Sequence, residues 1–159
     1  MRTLVKDQAT LRKPCQPVTL KKGLEIGREL FKFLRQWNKT HPHKQGIGLS
    51  APQLSIPYQV CVLLVNKLEL VLVNPQIVQQ SDVKVSVTEG CLSLPGVQVQ
   101  TSRNMWVEVS ADNLRENQVF GIDLRKVTGK PYEGMLLEGV CVQHEIDHIF
   151  GILITDRAQ

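Results

Sequence analysis

In "QHEIDHIFGILI" (residues 143–154), His144, Glu145 and His148 form the pattern H-E-x-x-H. On a helix, positions i and i+4 share a face, so both imidazoles can aim one nitrogen at a single ion. Glu145, between them, has the chemistry of a general base. A lone histidine is usually an ordinary core or surface residue; two at this spacing around a carboxylate read as a metal site. A hydrolytic metal centre takes three protein ligands and keeps a fourth position open, so one ligand is missing. The protease extension H-E-x-x-H-x-x-G-x-x-H does not supply it, because Gly151 is in place but Ile154 occupies the last position. Eleven residues follow His148, with Asp156 the sole acid among them, so the third ligand is expected upstream.

Cysteine is the favoured type, since a thiolate binds borderline metals well. Cys15 lies in a proline-flanked segment and Cys61 in an apolar strand. Cys141 sits one turn before His144, where it can line a pocket or simply pack in the core. Cys91 stands in "EGCLSLPG", where Gly90, Pro95 and Gly96 supply the turns that hold a side chain at a loop edge. The residues favour Cys91 and leave Cys141 as the alternative. No C-x-x-C pair occurs, and "MRTLVKDQAT" has no apolar signal core, so free or metal-bound thiols in the cytoplasm are expected rather than disulfides.

The elements that must position these groups follow from periodicity. From Leu20 to Trp37 apolar residues recur at Leu24, Gly27, Leu30, Phe31, Leu34 and Trp37, a helical pattern that Gly23 and Gly27 weaken. "NKTHPHKQG" breaks it. "YQVCVLLV" and "LELVLV", separated by Asn66-Lys67, read as a hairpin of buried strands. Alternation in "VKVSVT", "VQVQT" and "MWVEVSA" predicts more strands, and "VFGIDLRKVTGKPYEG" further short ones with glycine turns. Residues 134–150 are helical again and apolar almost all round, hence buried. With no repeat or linker, residues 1–159 read as one α+β domain: antiparallel sheets packed around a buried C-terminal metal-binding helix, with an N-terminal helix. The longest apolar run, "VCVLLV", is too short to span a bilayer.

The first fifty residues hold eleven Lys/Arg against three Asp/Glu, and the remainder eight against twelve. A basic N-terminal third suits a nucleic-acid-rich surface such as a ribosome; a solvated helix face is the plainer reading.

Taken in order, "GIGLSAPQ" (Gly46–Gln53), "EGCLS" (Glu89–Ser93) and "QHEIDH" (Gln143–His148) resemble the three motifs of the peptide deformylases. The resemblance covers nearly the whole chain. It implies removal of the formyl group from the N-terminal formyl-methionine of nascent chains, with release of formate. It implies Cys91, His144 and His148 as ligands of one divalent metal, natively Fe²⁺, with Zn²⁺, Ni²⁺ or Co²⁺ also accommodated. A water at such an ion becomes a nucleophile near neutral pH, Glu145 acts as general base then general acid, and Gln53 with the Leu92 N–H stabilises the oxyanion. The backbone at Gly46, Ile47, Gly48, Glu89 and Gly90 is implied to pair with an extended substrate. Leu137, Val140 and Cys141, with Ile47, are placed around the methionine side chain, and Glu89 with Arg103 braces the cysteine loop.

Three departures stand out. Ser50 replaces the first of two alanines usual in the first motif. The chain ends at "ITDRAQ", without the C-terminal helix implicated in ribosome docking in many bacterial members, leaving the basic N-terminal third as a substitute. The stretch between Arg103 and His144 reads as a lengthened hairpin. They point to a member from a phage or another unusual lineage, working as a monomer in the cytoplasm or a host's cytoplasm. No membrane or specific-DNA partner is expected. The rival readings are a zinc protease, disfavoured by Ile154, and a ribosome-bound protein with a residual metal site, disfavoured by Glu145 and Gln53.

Overall fold

The computed structural model describes residues 2–126, 129–130 and 134–159. After a single turn, α1 (Gln8–Leu11), comes the long helix α2 (Leu20–Thr40), capped by Thr19, whose side chain accepts from Lys22 N. Its buried face is Gly23, Ile26, Gly27, Leu30 and Leu34; Leu24, Phe31 and Trp37 are half-buried. Gly23 and Gly27 are contact positions rather than weak points. A Cβ on Gly23 would fall 2.5 Å from Val73 Cγ1, and one on Gly27 2.4 Å from Val71 Cγ2. The helical cost of each glycine, about 1 kcal/mol, is offset by the close approach of the helix to the sheet.

That sheet contains β1 (Gly48–Ser50), β2 (Val60–Val65) and β3 (Leu68–Val73), antiparallel in the order β1-β2-β3. The β2–β3 hairpin turns at Asn66, where φ is 55°, a conformation asparagine tolerates. "VCVLLV" shows no alternation because both faces of β2 are covered. Cys61, Leu63 and Val65 join one apolar cluster with Val142, Ile146 and Ile149, while Val60 and Val62 join a second with Ile26, Leu30 and Leu34 of α2. The sheet is therefore sandwiched between α2 and α3 (Gly134–Ile149).

A second antiparallel sheet has the order β4-β7-β8, from β4 (Gln76–Gln80), β7 (Trp106–Ser110) and β8 (Gln118–Gly121). A third pairs β5 (Lys84–Cys91) with β6 (Leu94–Asn104). The α+β class is as the pattern predicts. Among the described residues of "VFGIDLRKVTGKPYEG" there is one strand, β8, where several were expected. After β8 the Asp123 carboxylate accepts from the Arg125 backbone N–H at 3.1 Å, turning the chain instead of extending it. Residues 127, 128 and 131–133 of that stretch lie outside the described residues; between Arg103 and His144 the described residues contain the antiparallel pair β7–β8.

Gly151 ends the α3 region with φ at +76°, and a Cβ there would sit 2.3 Å from Arg12 O. Beyond it are a 3₁₀ turn (Ile154–Arg157) and a bridge between Ala158 and Thr101 of β6. Among the described residues no helix is long and apolar enough to cross a membrane.

Candidate active site

Helix α3 is buried along most of its length, including Glu145, Asp147 and His148 in its polar interior. The one-turn spacing brings the His144 and His148 rings to 5.0 Å between centroids. Opposite them, the β5–β6 ladder breaks register: Gly90 pairs with Gln98 but Cys91 with Leu94. The bulge turns Cys91 towards the helix, with Sγ 3.3 Å from His148 Nε2. One ligand atom from each of Cys91, His144 and His148 lies within 4.8 Å of the others. Metal–ligand bonds of about 2.3 Å to sulfur and 2.0–2.1 Å to nitrogen in a tetrahedron separate S from N by roughly 3.5 Å, so this cluster fits an ion. One thiolate and two imidazoles suit Zn²⁺, Fe²⁺, Co²⁺ or Ni²⁺.

The thiols divide as this geometry requires. Burial holds Cys61 and Cys141 well above the ordinary thiol range and Cys15 at about 11. Cys141 is further disfavoured as a thiolate by Glu145, and its Sγ donates to Ile47 O at 3.5 Å. Cys141 thus lines the cavity as a neutral thiol, and Cys91 is the cysteine beside both histidines.

His144 shares a hydrogen bond of 2.9 Å between Nδ1 and Glu89 Oε1, which leaves Nε2 for the cluster. Burial alone would raise the Glu89 pKa; hydrogen bonds from His144, Arg103 and Thr101 and the guanidinium charge overcome it and bring the value to about 2. Arg103, 3 % exposed, donates to Glu89 through Nε (2.6 Å) and Nη2 (2.9 Å) and to Asp147 through Nη1 (2.6 Å). Arg157 closes the chain on Asp147 at 2.7 Å. Burial would strip the proton from His144, but its bonds to Cys91 and Glu89 hold it up to about 10; the site between thiol and carboxylate demands a positive charge. His148 is instead pushed well below its ordinary value by burial, a neutral imidazole whose Nδ1 has no partner among the described residues.

Burial also raises the Glu145 pKa. The 3₁₀ turn Ala51–Leu54, with Pro52 in its first half, directs Gln53 inward, where it is 2 % exposed. Gln53 Oε1 accepts from Ser50 N at 2.9 Å, so Nε2 faces the site, donating to Ser93 Oγ at 3.1 Å and lying 3.7 Å from Cys91 Sγ. A cavity of about 740 Å³ opens here. It is lined by Gly46, Ile47, Gly48, Gln53, Glu89, Gly90, Cys91, Leu92, Leu137, Val140, Cys141, His144 and Glu145. His148 lies behind them, 2 % exposed. Gly48 is a packing requirement, since a Cβ would be 2.7 Å from Glu145 Oε1 and 3.0 Å from Cys141 Sγ. Ile154 is buried core, so the protease extension stays incomplete.

Four contributors escaped the sequence reading: Ser93, Thr101, Asp147 and Arg157. Asp147 alone left a signal, a charge on the buried helix between the two histidines, which had to find a cation.

A cysteine, two histidines and a glutamate gathered at one cavity in an α+β frame are the groups that a metal-dependent hydrolase would need. A family model described as polypeptide deformylase matches residues 1–159. A peptide deformylase of Chloroflexus aggregans is 34% identical over 167 residues, spanning 95% of this chain and 81% of the relative. One from Natranaerobius thermophilus is 38% identical over 140 residues, spanning 87% and 83%. Among solved structures, the peptide deformylase of Thermotoga maritima superposes with a TM-score of 0.72 at 28% identity, covering 100% of this chain and 98% of that one. A probable peptide deformylase from synechococcus phage S-SSM7 gives 0.76 at 27% identity, covering 99% of each. The chain belongs to the peptide deformylase family, hydrolases that remove the N-formyl group from nascent peptides.

Proposed function

We propose that this chain, acting as a single domain, hydrolyses the formyl amide of N-terminal formyl-methionine and releases formate, with Cys91, His144 and His148 holding one divalent metal. The observation that carries this is the convergence of three ligand atoms within 4.8 Å on a cavity also lined by Glu145 and Gln53. When bound, the metal supplies Lewis acidity and an acidified water. Glu145 would hold the proton given up by the attacking water and return it to the leaving amine. The Gln53 amide and the Leu92 N–H receive the developing oxyanion; the inward-facing Nε2 supports this role for Gln53. Gln53→Ala is expected to lower kcat by roughly 10²–10³-fold with KM little changed, measured by steady-state formate release.

The unpaired edges of β1 and β5 flank the cavity, so an extended peptide can add as a strand beside Ile47 and Gly90. Ile47, Leu137, Val140 and Cys141 offer apolar surface to the methionine side chain. The native metal is proposed to be Fe²⁺, with Zn²⁺, Ni²⁺ or Co²⁺ able to replace it. The exposed cations of α2, Lys21, Arg28, Lys32 and Lys39, recur on one helical stripe and support association of a monomer with the ribosome in the cytoplasm.

The test is anaerobic hydrolysis of formyl-Met-Ala beside its acetylated and internal-peptide counterparts, after reconstitution with iron, nickel or zinc. Formate release from the formyl substrate alone is the expected result; absence of turnover with every metal overturns the reading.

A further inference from the structure

Ser50 lies at the end of β1, and its side chain has no part in the mechanism above. It is wholly buried, yet its hydroxyl is not spent on packing: Oγ lies 2.6 Å from the Glu145 backbone carbonyl and 3.0 Å from Glu145 Oε2. Among the described residues it is the only side chain hydrogen-bonded to that carboxylate. The two carboxylate oxygens are thereby made different. Oε2 faces a hydroxyl donor, whereas Oε1 is turned towards the ligand cluster, 4.0 Å from His144 Nε2 and against the bare face of Gly48. The Ser50 backbone N–H meanwhile donates to Gln53 Oε1. One residue thus sets the orientation of both the carboxylate and the amide that flank Cys91.

We propose that Ser50 is a positioning residue for Glu145. Its single hydroxyl hydrogen is shared between the Glu145 carbonyl at 2.6 Å and Oε2 at 3.0 Å; the arm to Oε2 holds the carboxylate in one rotamer and leaves Oε1 as the oxygen that accepts the proton from water and returns it to the departing amine. The hydroxyl hydrogen stays on Ser50 throughout. With the proton on Oε1, Oε2 is still an acceptor, and the bond is strongest while Glu145 is ionised. The inference rests on the reading of Glu145 as general base. A hydroxyl that merely satisfied the α3 carbonyl would leave the chemistry untouched.

Ser50→Ala in the metal-loaded protein tests this. The expected result is a loss of about ten-fold in kcat for formyl-Met-Ala, the scale of a modest misplacement of the base once its rotamer is no longer held, with KM and metal content unchanged. A second readout needs no metal. The infrared carboxylate band of Glu145, assigned by difference from Glu145→Gln, should shift in Ser50→Ala. An unchanged kcat, or a fall in kcat that tracks lost metal or a raised KM, overturns the proposal. If Glu145→Gln itself retains full turnover, the general-base reading fails first; if that variant is inactive and Ser50→Ala is not impaired, only the role of Ser50 fails.

Discussion

Glu145→Gln is expected to lower formate release by roughly 10²–10⁴-fold while the protein keeps its metal. Glutamine matches glutamate in volume, so the close approach at Gly48 is preserved. It retains an oxygen that can accept from Ser50, but it cannot take up a proton and pass it on. Cys91, His144 and His148 are untouched, so metal content by elemental analysis should equal that of the parent. Burial is the main reason the Glu145 pKa lies above its ordinary value. Removing a buried charge of that kind relieves a desolvation cost, so the melting temperature should hold or rise. Stability and activity therefore move apart in this variant. A melting temperature that fell together with the rate would point to a damaged fold rather than a missing base.

Arg103→Ala is expected to be costly in both respects. Its guanidinium is the buried cation between two buried carboxylates, Glu89 and Asp147, and truncation leaves Glu89 with only His144 and Thr101. Removing one partner of such a pair typically costs about 3–5 kcal/mol, a large share of a domain's stability. Loosening Glu89 also releases the restraint on the His144 ring, and losses of this type lower metal affinity by roughly 10–100-fold. Arg103→Lys keeps the charge without the two-pronged geometry and should fall between, which keeps the test usable if the alanine variant does not fold. Denaturant titration measures the first effect and chelator competition the second; unchanged metal affinity and activity in Arg103→Ala would sink the bracing role. The pH dependence follows the same bonds. The Glu89 pKa is depressed, to about 2, so its stabilisation is complete above the ordinary glutamate value of about 4.3. It is lost as pH falls from there through about 2. In Arg103→Lys the folded-state value is less depressed, so this acid-side loss should be smaller and should end at a higher pH.

The chemistry was legible because it is carried by residue types at short spacings. H-E-x-x-H needs only one helical turn to become two ligands and a base, and helical geometry is local. Ile154 excluded a ligand on the far side of His148, which directed the search to the cysteines. Choosing between Cys91 and Cys141 needed something further. The two lie on different elements, and whether either reaches His148 depends on how β5 packs on α3. The bulge after Gly90, which supplies that answer, leaves no pattern in the sequence beyond a glycine.

The strands and helices were read from periodicity, and the errors have common causes. Gly23 and Gly27 were weighed by intrinsic propensity, but their worth lies in Val71 and Val73, brought beneath them by another strand. Directly after β8, where the strand pattern was expected to continue, the chain turns at Asp123, a competition between side chain and backbone for the same N–H.

By itself the sequence determined the α+β class, the buried C-terminal helix and the residue types proposed as ligands and base, since each follows from composition or spacing within a few residues. Spacing favoured Cys91 and the resemblance implied it, but only the tertiary structure showed it beside His148 and showed how the alternating row Glu89, Arg103, Asp147 and Arg157 is threaded behind the histidines. It alone showed that Ser50 faces Glu145. These contacts join residues 10 to 95 positions apart, and their worth depends on burial. A carboxylate in water and one enclosed with a guanidinium differ by kilocalories, and nothing in a linear sequence says which residues water will leave.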